Sequence, residues 1–336
     1  MANVNIRTPR FYPDQINFLL NRGIALTEFK LLTSGSNLIT SYQTGSDAQL
    51  FDMNPSATCS WDTSSNRSDH ILINIDKQLQ PTLQTNFIAV LNHNMASASA
   101  SLRISNDSSE SDVQAVDMGS ASAMANLSEV VNADTISSNR VTPATDGSTI
   151  FTFDANTNRH IGIQFEGSDS TQFHASTDLF IGCIIIGEYY DIPRSPELSV
   201  KRSISFDKIT QIESLGGRKF SNILNFGKSL NSPFTTTSDD QFKIYGGRIS
   251  YNLKFNYLAS TDIMPDSYQS LSITDDSVIG DVWNFTHGSH IPFIFSTDNT
   301  STGANAESDH MFARFGQDSL NMTQVAPDVF NISMRI

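Results

Sequence analysis

Between Trp61 and Ser195 apolar residues recur at every second position in a series of short runs. HILINIDKQL places Ile71, Ile73 and Ile75 on one face of a strand. NFIAVLN, ending before His93 and Asn94, predicts a second strand, and Leu102 with Ile104 resumes the alternation in a third. TIFTFD from Thr149 and RHIGIQF, with Ile161, Ile163 and Phe165 on one face, add two more. The most apolar stretch is DLFIGCIIIGEYYDIPRS, Asp178 to Ser195, whose core Leu179–Ile186 is broken only by Gly182 and Cys183. It falls short of the roughly 20 residues a membrane span needs, but it suits a strand buried on both faces. It is therefore expected to be the central strand of its domain.

Elsewhere the pattern is less regular. The N-terminal RTPRFYPDQINFLLNRG predicts an extended arm ending in a strand or a helical turn, and Phe29 to Thr40 a hairpin about Ser34-Gly35-Ser36. Met124, Leu127, Val130 and Val131 are spaced near three and four, which predicts a helix within Met118–Ala133. Two prolines in IPRSPEL, Ile192 to Leu198, resist helix and central strand alike and mark a boundary. Beyond it LGGRKFSN and YGGRISYN share GGRxxxN at an offset of 30 residues. These glycines open paired strands rather than phosphate loops, because no GK[ST] follows them. Ile249 to Tyr257, HIPFIF, Met311–Phe315 and FNISMRI complete the strands. The fold class expected is mainly β, with two antiparallel sandwich or jelly-roll-like domains. Residues 1–60 are expected to form an arm and first strands packed on, or part of, the first domain, 61–195 the jelly roll, and 196–336 a second β-rich domain.

Charge divides the chain. The total is 21 basic against 35 acidic residues, a net of −14, which opposes nucleic-acid binding. Lys201 to Lys254 reverses the sign, with nine basic residues against four acidic ones, or +5. From Asp262 to Ile336 only Arg314 and Arg335 oppose ten acids. Such asymmetry suits head-to-tail contacts between identical subunits, with Lys201, Arg202, Lys219, Arg248 and Lys254 as candidate assembly contacts. Ordinary solvated charge is the alternative. Cys59 and Cys183 lie far apart without a CxxC pattern, which argues against a disulfide framework or a thiolate zinc site. No apolar leader or membrane-length run is evident, so synthesis in a cytoplasm without membrane insertion is expected.

Candidate chemistry is sparse. His287 and His290, in HGSH, have a spacing seen in metal sites but need a third ligand. His93 and His160 flank apolar strands, where a hydrogen-bonded structural role is commoner. Asp239-Asp240 and Asp275-Asp276 stand in turn-like contexts, and DNTSTGANAESD departs from EF-hand spacing. No GxSxG elbow occurs. No catalytic, cofactor-binding or metal residue is assigned.

ILINIDKQL, NFIAVLNHNM, RHIGIQF and DLFIGCIIIGEYYDIPRSPEL together resemble the discoidin-like, galactose-binding-like jelly rolls of tailed-bacteriophage virion proteins. In the second half GGRISYNLKFNYL, WNFTHGSHIPFIFSTDN and HMFARFGQDSLNMTQ are similar to the same class. The tract NRHIGI departs from it, since such domains often carry an aromatic there. The resemblance implies a non-enzymatic structural component of a phage tail, at the tail tip, baseplate or an adaptor position, assembling as a ring or trimer with other virion proteins. A carbohydrate-binding module for the host surface is the alternative, with Trp61, Tyr189 and Trp283 as candidate stacking residues. A polysaccharide hydrolase is a third reading.

Overall fold

In the computed structural model, residues 6–78, 83–114, 122–133, 135–137, 139–168, 172–205, 209–223, 234, 248–265, 277–303 and 306–336 are described. The strands in chain order begin with β1 (Arg10–Pro13), β2 (Phe29–Leu31), β3 (Cys59–Trp61), β4 (Ile71–Asp76), β5 (Thr85–His93) and β6 (Ala100–Asp107). Next come β7 (Ser122–Ala123), β8 (Ser128–Val131), β9 (Thr135–Ser137), β10 (Arg140–Thr142), β11 (Gly147–Asn156) and β12 (His160–Gly167). β13 (Leu179–Ile181), β14 (Cys183–Gly187), β15 (Tyr190–Asp191), β16 (Lys201–Ser205), β17 (Ile209–Glu213) and β18 (Lys219–Ile223) follow. β19 (Arg248–Ala259), β20 (Phe293–Ser296), β21 (His310–Ala313), β22 (Asn321–Ala326) and β23 (Val329–Arg335) complete the set. Helices are short: α1 (Gln15–Asn21), α2 (Asp47–Leu50), α3 (Glu110–Val113), α4 (Ser260–Ile263) and a π-helical turn, Val278–Trp283.

Four sheets stack with three apolar cores between them. The first, in the order β2-β4-β12-β6-β10-β9 with β7 on β6, faces the second, β14-β5-β11-β8. Ile73, Ile163 and Phe165 from the first sheet meet Ile88, Val90, Phe151 and Ile184 from the second. Alternation sends the intervening residues of the second sheet, Phe87, Ala89, Leu91, Ile150 and Ile185, to its other face. There they pack on Tyr12, Ile294 and Phe312 of the third sheet, β15-β1-β20-β21. The third sheet alternates likewise: Phe11, Phe293 and Phe295 point on to Tyr251, Leu253, Phe255 and Ile332 of the fourth, β16-β19-β23-β22. The mainly β, antiparallel class is thus as expected.

The anticipated central strand breaks in two. Leu179–Ile181 pairs with β3, and Cys183–Gly187 pairs with β5. The switch occurs at Gly182, where an added Cβ would lie 2.3 Å from Pro55 O and 2.8 Å from Leu91 O. β14 is buried on both faces as its sequence requires, yet by hydrogen bonding it is the edge of its sheet. Helices α1 and α2 and strand β1 pack against it, which keeps that edge from open pairing.

Other expectations need correction. Within 118–133 the described residues form β7 and β8 rather than a helix; pairing of β8 with β11 outweighs a weak local preference. Phe29–Thr40 is no hairpin, since β2 pairs with β4 and Leu38 bridges His70. The arm is not confined to the first domain either. β1 lies between β15 and β20, and Arg10 is joined to Asp191 by Nε–Oδ1 and Nη2–Oδ2 contacts of 2.6 and 2.7 Å. The third sheet therefore unites residues from segments 1–60, 61–195 and 196–336.

Two of the buried polar side chains, His93 and Asp14, are anchored by hydrogen bonds at both of their polar atoms. His93 Nδ1 accepts from Met95 N at 3.2 Å, and its Nε2 faces Thr149 Oγ1 at 2.8 Å, whose hydroxyl donates to Asn132 O. That pattern requires the neutral Nε2–H tautomer. Asp14 caps α1, accepting from Ile16 N and Asn17 N.

Two outcomes follow. Gly182→Ala will destabilise the fold by about 2–3 kcal/mol, read from the urea midpoint, because backbone rather than flexible side chain blocks the methyl group. Burial pushes His93 and His310 down to about 4, from 6.5. Between these values the unfolded chain binds protons that the folded chain refuses, so stability falls as pH drops through the window. Burial pushes Asp14 up to about 6, which opposes the trend below that pH with one group against two. The urea midpoint will be lower at pH 5 than at pH 7, and His93→Gln will flatten the difference.

Candidate interaction surface

β19 and β23 each send one face into the core and the other outward. Along β19 the inward residues Tyr251, Leu253 and Phe255 are buried, while Arg248, Asn252 and Lys254 are exposed. On β23 Ile332 and Met334 are buried, while Ser333 and Arg335 are exposed. The register sets Lys201 and Arg335 beside Asn252, and Ser333 beside Lys254. Lys201, Arg248, Lys254 and Arg335 therefore share the outer face of the fourth sheet, interspersed with Ser and Asn. Ser203 Oγ and Ser250 Oγ, 2.7 Å apart, link β16 to β19 there. Glu197 stands at one end, its carboxylate accepting from Asn256 Nδ2.

The structure thus gathers three of the five candidate assembly contacts onto one face. Arg202 alternates to the other side, 5.8 Å from the Tyr251 ring centroid. Lys219 lies on the β17–β18 ribbon, opposite Glu213. Arg335 was missed although the alternation of FNISMRI already set it on the face opposite Ile332 and Met334. Lys208, Lys228 and Lys243 lie outside the described residues.

The ribbon adds an apolar component. Every described side chain from Thr210 to Ser221 is exposed, and Ile212 directly opposes Phe220. Their exposures are 64% and 56%, with Leu215 fully exposed in the turn and Ile204 of β16 at 54%. A five-residue, two-stranded ribbon that covers no core is marginal in water by itself. The first GGR motif supplies its turn, where Gly217 has φ 76°; Gly246 and Gly247 of the second lie outside the described residues.

The stacking candidates offer no comparable free face. Trp61 is fully buried, against Leu179 and Tyr42, which corrects its assignment as a glycan platform. Tyr189 is half-buried with the Arg10 guanidinium carbon 4.0 Å from its ring centroid. Trp283 is half-buried against Phe315, at 5.0 Å between centroids. Tyr257, on a bulge of β19 with φ 59°, is, with Phe220, an exposed aromatic that the pattern did not single out.

Other candidates are occupied or dispersed. His287 and His290 are exposed in a turn. Asp298 pairs with Arg7 and accepts from Thr300, and Asp309 accepts from Ser301, so the oxygens of DNTSTGANAESD serve the loop itself. Among the described residues no three His, Cys, Asp or Glu side chains converge as a metal would require; Asp239, Asp240, Asp275 and Asp276 lie outside them. No described helix is long and apolar enough to cross a membrane.

No family model and no curated protein matches the chain. Among solved structures, a truncated AlyQ with CBM32 and alginate lyase domains is similar over 76% of this chain and 50% of its own, at 13% identity and a TM-score of 0.30. The chain thus spans half the length of that structure. So low a score is no ground for transferring a fold or an activity.

Trp61→Ala will cost about 3–5 kcal/mol of stability, as the loss of a large core side chain does, while Tyr257→Ala will leave the urea midpoint nearly unchanged.

Proposed function

We propose that the protein is a non-enzymatic structural component that acts by assembling with further copies of itself and with other proteins. The observations that carry this reading are the exposed β17–β18 ribbon and a cationic sheet face, on a chain whose residues outside Lys201–Lys254 hold −19. That figure is the difference between the total of −14 and the local +5. A molecule of opposite-signed surfaces attracts its own copies in a head-to-tail sense, and apolar Ile212 and Phe220 leave water only when a partner covers them.

The sequence resemblance supplies the setting, the tail of a bacteriophage virion, with manufacture in the cytoplasm of the bacterial host. The carbohydrate-binding alternative has Tyr257 as its best-placed aromatic. A glycan array that binds wild type and loses the signal with Tyr257→Ala would favour that alternative.

Light scattering on the full chain across a concentration series will give a multiple of 37.0 kDa, shifting toward monomer as salt screens the contact. Reversing Lys219 and Arg248 to Glu will have the same effect at low salt without lowering the urea midpoint. A monomer at every concentration and salt overturns the reading.

A further inference from the structure

The fourth sheet ends in two strands with one neighbour each among the described residues: β16 pairs with β19, and β22 with β23. All five residues of β16 are exposed, and all of β22 except half-buried Met322. Proteins usually blunt such edges with charge, proline or a covering element. β22 reads Asn-Met-Thr-Gln-Val-Ala and has no charge or proline within it.

Strand direction makes the two edges mutually compatible. β16 is antiparallel to β19, β19 to β23 and β23 to β22, so β22 runs opposite to β16. A second copy in the same orientation brings its β16 alongside β22 already antiparallel. The relation repeats with every added copy, as a heterologous ring or filament requires.

Side chains and charge agree with one register. Ser203 opposite Thr323 sets Ser205 against Asn321 and Ile204 against Met322, which covers an Ile that is 54% exposed in the single copy. It also brings Lys201 and Arg202 to the end of β22 that turns into Asp328. Asp328 is exposed at φ 57° and has no cationic partner among the described residues.

We propose that the β16 edge of one copy pairs with the β22 edge of the next, joining their fourth sheets into one continuous sheet, with Lys201 and Arg202 facing Asp328 of the neighbouring copy. The proposal rests on the self-association argued above and identifies its seam and its occupant, a second copy of this chain.

Directly opposed residues on adjacent antiparallel strands have Cα atoms about 4.5–5.5 Å apart, within the span a disulfide bridges. Full-length Ser203→Cys and Thr323→Cys proteins are oxidised mildly, separately and as an equal mixture; native Cys59 and Cys183 are fully buried and stay silent. The mixture is expected to give a covalent dimer on a non-reducing gel, and neither protein alone. A dimer from either protein alone overturns the head-to-tail seam. No dimer from the mixture, with oligomers still seen by light scattering, overturns the seam while self-association stands. Monomers throughout overturn both. In wild-type background Asp328→Lys is expected to weaken association on the order of tenfold, and Lys201→Glu with Arg202→Glu to restore it; unchanged association in Asp328→Lys overturns the charge contact.

Discussion

The structure depends on a sheet that has no side facing water. In β5 and β14 the residues pointing either way are apolar, so the second sheet needs a cover on each face. One cover is the seven-stranded sheet, the other the third sheet. The third sheet in turn presents Tyr12, Ile294 and Phe312 on one side and Phe11, Phe293 and Phe295 on the other, so it too needs a second partner. Period-two alternation thus passes the demand for burial from layer to layer until the fourth sheet, whose outer positions are Lys, Arg, Ser and Asn, ends the stack.

That chain of demands explains the closure by segments distant in sequence. β1 is inserted between β15 and β20, and its Arg10–Asp191 fork holds it in place. Removing the arm would open both adjoining cores at once. Burial also decides the polar groups within the stack. His93 is held neutral by burial, with Met95 N and Thr149 Oγ1 as its two partners, and Gly182 exists as a glycine because two carbonyl oxygens occupy the space of its side chain.

The fourth sheet, at one end of the stack, has one face that carries none of the three cores. Its exterior is cationic in an acidic molecule, its two edge strands have one neighbour each among the described residues, and the ribbon that exposes Ile212 and Phe220 follows β16 in the chain. Each feature adds something unsatisfied at one end of the stack. Together they make the fourth sheet the part of the molecule on which the proposed assembly rests.

Alternation in ILINIDKQL, RHIGIQF and FNISMRI was enough to assign strands and their buried faces, because the period of two is imposed locally by the pleat. The apolar run from Leu179 likewise announced the burial on both faces that Cys183–Gly187 shows, and the charge reversal between Lys201 and Lys254 was visible by counting. Pairing is not local. Which strand lies beside which, that the arm belongs with residues beyond 290, that Ser128–Val131 is a strand, and that Trp61 is sealed while Arg335 joins Lys254 on one face were decided only by tertiary contacts. Residues far apart in sequence compete for the same neighbours, and the choice rests on how three cores can be filled together.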